Sequence, residues 1–103
     1  MNLNLDLAHE STLVGAVDSY LKELVHVRPF LLQRYAAVLE GMTEQWFEEN
    51  GVNEVDALDA PWIANYIAES ADWRMALTAL QEFYCWADQG NLIAKNPLLA
   101  TRE

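Results

Sequence analysis

One stretch, residues 73–97 (WRMALTALQEFYCWADQGNLIAKNP), constrains the fold more than any other part of the chain. Its apolar residues Trp73, Ala76, Leu77, Leu80, Phe83, Tyr84 and Ala87 recur at three- and four-residue spacing, which puts them on one face of a helix. Thr78, Gln81, Glu82 and Asp88 fall between them and can face water. A helix with so wide an apolar face must bury it against neighbours, and the segments upstream read as helices built for that purpose. Gly90 is the expected stop, because glycine takes the left-handed position after a helix without steric cost, and Pro97 bars simple resumption of a helix through that site. Leu92 and Ile93 are expected to fold back under the helix end.

The upstream helices are read from caps and periodicity. Residues 1–10 alternate Leu3, Leu5 and Leu7 with polar neighbours, a period of two that suits a short N-terminal arm. Ser11 or Thr12 can cap a helix running to about His26, with Leu13, Val17, Tyr20, Leu21, Leu24 and Val25 as its buried stripe. Pro29 suits the first turn of a second helix that ends at Gly51, with Leu32, Tyr35, Leu39, Met42, Trp46 and Phe47 directed inward. Gly41 in its interior marks a close helix contact or a bend. Residues 51–59 read as a loop anchored by Val52, Val55 and Leu58. Asp59 can cap a third helix with Pro61 in its first turn and Trp62, Ile63, Tyr66 and Ile67 facing inward, and Ser70 or Asp72 caps the fourth. The fold class is therefore all-α, a compact four-helix bundle with a short N-terminal arm.

Composition narrows the function classes. At 103 residues the chain is one domain, and its single cysteine, Cys85, excludes an internal disulfide. No apolar run reaches the length of a membrane span and no signal-peptide pattern opens the chain, so a cytoplasmic setting without membrane partners is expected. A formal net charge of -10 disfavours non-specific adhesion to nucleic acid over most of the surface. His9, His26 and Cys85 have no partners at metal-ligand spacing, so no metal or other cofactor is expected, and Cys85 reads as an inert buried thiol.

Three passages taken in order resemble the N-terminal core-binding, or SAM-like, domain of the tyrosine recombinase (phage integrase) family. They are AVDSYLKEL, RPFLLQRYAAVLEGMTEQWFEENG and LTALQEFYCWADQGNLIAKNPL, and the likeness covers roughly residues 13–99. The last is the most family-like, with Leu-x-x-Leu-x-x-Phe-Tyr-x-Trp followed by Gly, two apolar residues and Asn-Pro. The chain departs from the family at Leu31, usually a small hydroxyl residue, and at Gln81, commonly arginine.

The resemblance implies an orthogonal SAM-like bundle over residues 11–99, with an arm at 1–10 and an interdomain linker starting at 100–103. It implies that the chain is the N-terminal part of a longer recombinase. Such a domain clamps duplex DNA together with a C-terminal catalytic domain and other recombinase protomers, and it is itself no enzyme. The catalytic tyrosine and its cationic partners would belong to that other domain. Carried over by position, Arg34, Arg74 and Lys95 are the expected DNA-contacting residues, with Arg28 and Lys22 as additions. Cations at helix N-termini, where backbone N–H groups point outward, suit phosphate independently of the family. As an isolated piece the domain is expected to bind DNA weakly. Glu40, Glu44 and Glu48 recur along one helix face and would repel phosphate, so that face has to point away from a duplex. The alternative reading is an acidic helical domain that binds proteins and has no autonomous DNA binding. Among the aromatic residues, Tyr66, Trp73, Phe83 and Tyr84 are expected in the core, with Trp62 and Trp86 beside it as candidates for an interdomain contact.

Overall fold

Helix α1, Leu13–Val27, opens where the Thr12 side chain accepts a hydrogen bond from the Gly15 N–H at 3.0 Å. These assignments come from a computed structural model that describes residues 12–51, 58–93 and 96–100. A 3-10 turn, Pro29–Leu31, leads into α2, Leu32–Asn50, which Gly51 ends in the left-handed region at φ 69°. Helix α3, Ala60–Glu69, begins at Asp59, whose carboxylate accepts from the Trp62 N–H at 2.9 Å. Helix α4, Trp73–Gln89, is capped by Asp72 rather than Ser70, and a short α5, Pro97–Ala100, follows. Among the described residues the fold is all-helical, with no strand. The arm at 1–10, Ser11, Val52, Val55, Lys95 and the linker residues 101–103 lie outside the described residues.

Helix α4 is central. Its face of Ala76, Ala79, Leu80, Phe83, Tyr84 and Ala87 is entirely buried, and α1, α2, α3 and α5 all pack on it. The alanines leave room for neighbouring backbones, while Phe83 and Tyr84 supply most of the buried area. Opposite them stand Tyr35, Leu39, Met42 and Trp46 of α2, with Leu13, Val17, Tyr20 and Leu24 of α1 closing one side. Ile63 and Ile67 of α3, with Leu58, Ile93 and Leu98, close the other. The radius of gyration, 13.1 Å, is that of a compact chain of this length.

The end of α4 differs from the sequence expectation in an informative way. Gly90 has φ −87°, and the left-handed residue is Asn91 at φ 60°. The Leu92 N–H donates to the Ala87 carbonyl at 2.9 Å and the Asn91 N–H to the Asp88 carbonyl at 3.1 Å, the paired bonds of a Schellman motif with asparagine in glycine's place. This reversal carries Ile93 into the core, as its position after the stop implied. Pro97 does not merely end structure. Its fixed φ suits the first turn of α5, which Asn96 starts by accepting from the Leu98 N–H at 2.9 Å.

Four expected core residues are at the surface. Val25 and Phe47 lie on the edges of their helical stripes, Trp73 sits at the free start of α4, and Cys85 is on its solvent side. Periodicity marks the middle of an apolar face, but the neighbour decides how far round the helix burial extends. Gly41 is a close approach. A Cβ built there would stand 2.9 Å from the Tyr66 hydroxyl, which donates to the Val38 carbonyl at 3.0 Å. Long side chains of α3 thus reach α2, since Trp62 also stacks on Tyr66, meets Trp46 edge-on and donates its indole N–H to Glu49 at 2.9 Å.

Alanine at Gly41 should gain about 1 kcal/mol of helix propensity but displace the Tyr66 hydroxyl from its acceptor. Gly41→Ala is therefore expected to be more favourable by about 1 kcal/mol in a Tyr66→Phe background than in the parent chain, measured as a double-mutant cycle by denaturant unfolding. Asn91→Ala, which forces an alanine into the left-handed region, should lower stability by about 1 kcal/mol in the same assay.

Candidate nucleic-acid interface

The cations nominated by the sequence divide into two groups once the helices are packed. Lys22 is tied to Asp18 on the preceding turn of α1 at 3.2 Å. Arg28, at the end of α1, reaches across to Glu82 of α4 at 3.5 Å. Both are exposed pairs of the kind that contributes little stability but holds a cation to its carboxylate. Arg34 and Arg74 are exposed, and neither forms an ion pair among the described residues. Lys95 lies outside those residues, so no position is assigned to it.

Arg34 stands in the first turn of α2, one turn before Val38, on the flank that continues toward α3 through Val38 and Gly41. Arg74 is the second residue of α4, with its guanidinium 5.3 Å from the centre of the Trp73 ring. Trp73 is 49% exposed, so this pair forms a cationic and aromatic surface where the sequence placed a core residue. Trp62 and Trp86, the two set apart in the sequence, are instead half-buried. Trp62 is held by its stack and its bond to Glu49, and Trp86 rests on Tyr20 and Phe83.

The start of α4 also corrects a local expectation. The Asp72 carboxylate accepts from the Met75 N–H at 3.2 Å, so the helix supplies its own anion there. Phosphate near Arg74 would be met by side chain rather than by free helix amides.

Glu82 organises the other side of this region. It pairs with Arg28, and its negative charge adds to burial in raising Tyr20 and Tyr35 above the ordinary phenol range; burial is the larger cause for both. Tyr66 is raised by burial alone. Among the described residues no group of three His, Cys, Asp or Glu side chains is placed to hold a metal ion, and no helix is long and apolar enough to cross a membrane.

No protein-family model matches the chain, and no curated protein or solved structure matches it either.

The tyrosines set a pH dependence. Their folded pKa values lie above that of a free phenol, so the stability they contribute is complete below about pH 10 and is lost as pH rises through the folded values. The melting temperature should fall more steeply above about pH 10 for the parent than for Tyr20→Phe, which no longer carries the most strongly raised of these groups. Thermal unfolding followed by circular dichroism across that range checks it.

Proposed function

We propose that this chain is a non-catalytic DNA-binding domain, the core-binding half of a site-specific tyrosine recombinase or integrase. It would clamp duplex DNA for integration or recombination while a separate catalytic domain cuts and rejoins the strands. The observation that carries this reading is the placement of Arg34 and Arg74. They are exposed, free of ion pairs among the described residues, and located on α2 and α4, two of the three long helices that carry the family-like passages. At about 100° and about 1.5 Å per residue, Glu40 lies about 120° around α2 from Arg34 and Glu44 about 80°, while Glu48, turned by only about 40°, stands about 21 Å farther along the axis. Angle for Glu40 and Glu44, and distance beyond a screening length of about 8–10 Å for Glu48, weaken the repulsion that the row exerts on phosphate at Arg34.

Guanidinium groups suit this task because they stay charged and can hold a phosphate through two parallel N–H···O bonds. Lys95, before Asn96 and Pro97, would add a third contact, and Arg28 and Lys22 would contribute less because their carboxylates compete. Such contacts position the duplex without reading its sequence.

The competing reading is an acidic helical protein-interaction domain without autonomous DNA binding. One observation favours it: an apolar groove with carboxylates on its rims between α1 and α2.

Fluorescence anisotropy of a labelled duplex distinguishes them. With three phosphate contacts, log affinity should fall with log salt at a slope of roughly -3, and Arg34→Glu with Arg74→Glu should weaken binding and bring the slope to about -1. Equal binding by the folded double mutant, or no salt-sensitive binding at low ionic strength, would count against DNA as the ligand.

A further inference from the structure

The groove between α1 and α2 lies on the side of α2 away from Arg34 and has a volume of ≈ 340 Å³. Val17, Leu21 and Thr43 line its depth, and the Thr43 hydroxyl is already spent on the Leu39 carbonyl at 2.8 Å. Val14 and Phe47 flank it at 51% and 53% exposure, among the largest apolar surfaces the fold leaves in water. Its rims are acidic, with Asp18 on α1 and Glu40 and Glu44 on α2. Asp18 is partly offset by Lys22, whereas Glu40 and Glu44 form no ion pair among the described residues. Beyond Arg34, α2 carries Glu40, Glu44, Glu48 and Glu49 and no cation, so the local field is negative throughout.

We propose that this groove binds an amphipathic helix of a partner protein, with an apolar stripe seated between Val14 and Phe47 and lysines or arginines meeting Glu40 and Glu44. Charge complementarity selects the occupant. A second copy of this chain would bring its own large acidic excess against the same rims, and a duplex would bring phosphates. The spans Val14 to Leu21 and Glu40 to Phe47 each measure about 11 Å along their helices, two turns, which fits anchors at i, i+3 or i+4 and i+7. No strand occurs among the described residues to offer an edge for β-pairing, so a helix is the complementary shape. The proposal uses a face separate from Arg34 and Arg74 and does not depend on the DNA reading.

The test is an amide chemical-shift titration of the full chain with a synthetic peptide of about 16 residues, leucines at i, i+3, i+4 and i+7 and lysines flanking them. The control peptide has the same composition with the leucines dispersed around the helix. Saturable shifts at Val14, Leu21, Glu40, Thr43 and Phe47, absent with the control, are expected. Glu40→Lys with Glu44→Lys should weaken binding by about tenfold or more, by analogy with loss of charge pairs at other interfaces. Phe47→Ala, at an exposed position, should also weaken it, and circular dichroism checks that both variants remain folded. Arg34→Glu with Arg74→Glu should leave peptide binding unchanged, which separates failure here from failure of the DNA proposal. Equal binding of the control, shifts confined to other faces, unchanged affinity in the variants, or no binding would overturn the proposal. So would concentration-dependent dimerisation through the same residues, or peptide binding that emerges only after removal of residues 1–10, since each names a different occupant.

Discussion

Burial of one face of α4 is the constraint on which the rest of the structure depends. Ala76, Ala79, Leu80, Phe83, Tyr84 and Ala87 are fully enclosed, and every other described helix touches the element that carries them. At roughly 25 cal/mol per Å² of apolar surface, withdrawing two aromatic rings and their aliphatic neighbours from water is a favourable contribution set against the ordering cost of the chain. The small residues matter as much as the large ones. Three alanines on the buried face let neighbouring helices approach, and the aromatic rings fill the space beside them.

Arrangement around α4 divides the surface of α2 into chemically different sides. The side toward α3 holds Gly41 under the Tyr66 hydroxyl and, one turn before Val38, the exposed Arg34. The side toward α1 holds Glu40, Glu44 and Phe47 beside the groove. A single helix can present both because the buried face of Tyr35, Leu39, Met42 and Trp46 takes the wider arc between them. The strongly acidic composition is thus uneven in effect: carboxylates border the α1 groove, Glu82 is engaged by Arg28, and Asp72 caps its own helix.

The order and type of the elements, most of their caps and the middle of each buried stripe were legible in the amino-acid sequence. Helix periodicity and capping are local: Thr12, Asp59 and Asp72 each bond an N–H three residues ahead, and Gly51 takes its left-handed turn where the chain calls for one. The end of α4 was legible in place but not in detail. Glycine and asparagine both tolerate positive φ, and only the closing bonds from Asn91 and Leu92 decide which adopts it.

Tertiary structure alone decided everything that depends on a neighbour distant in sequence. It left Val25, Phe47, Trp73 and Cys85 in water, drew Trp62 and Trp86 into ring contacts, brought the Tyr66 hydroxyl against Gly41, and joined Arg28 to Glu82. Among the candidate DNA-contacting cations, the sequence named the residues but not which were already paired, because an ion pair across two helices follows from how their axes pack rather than from spacing along either. What the sequence alone determined was therefore an all-helical chain with a strongly apolar last long helix. Packing then assigned each side chain to the core, to a partner or to water, since burial and charge pairing are properties of the assembled helices.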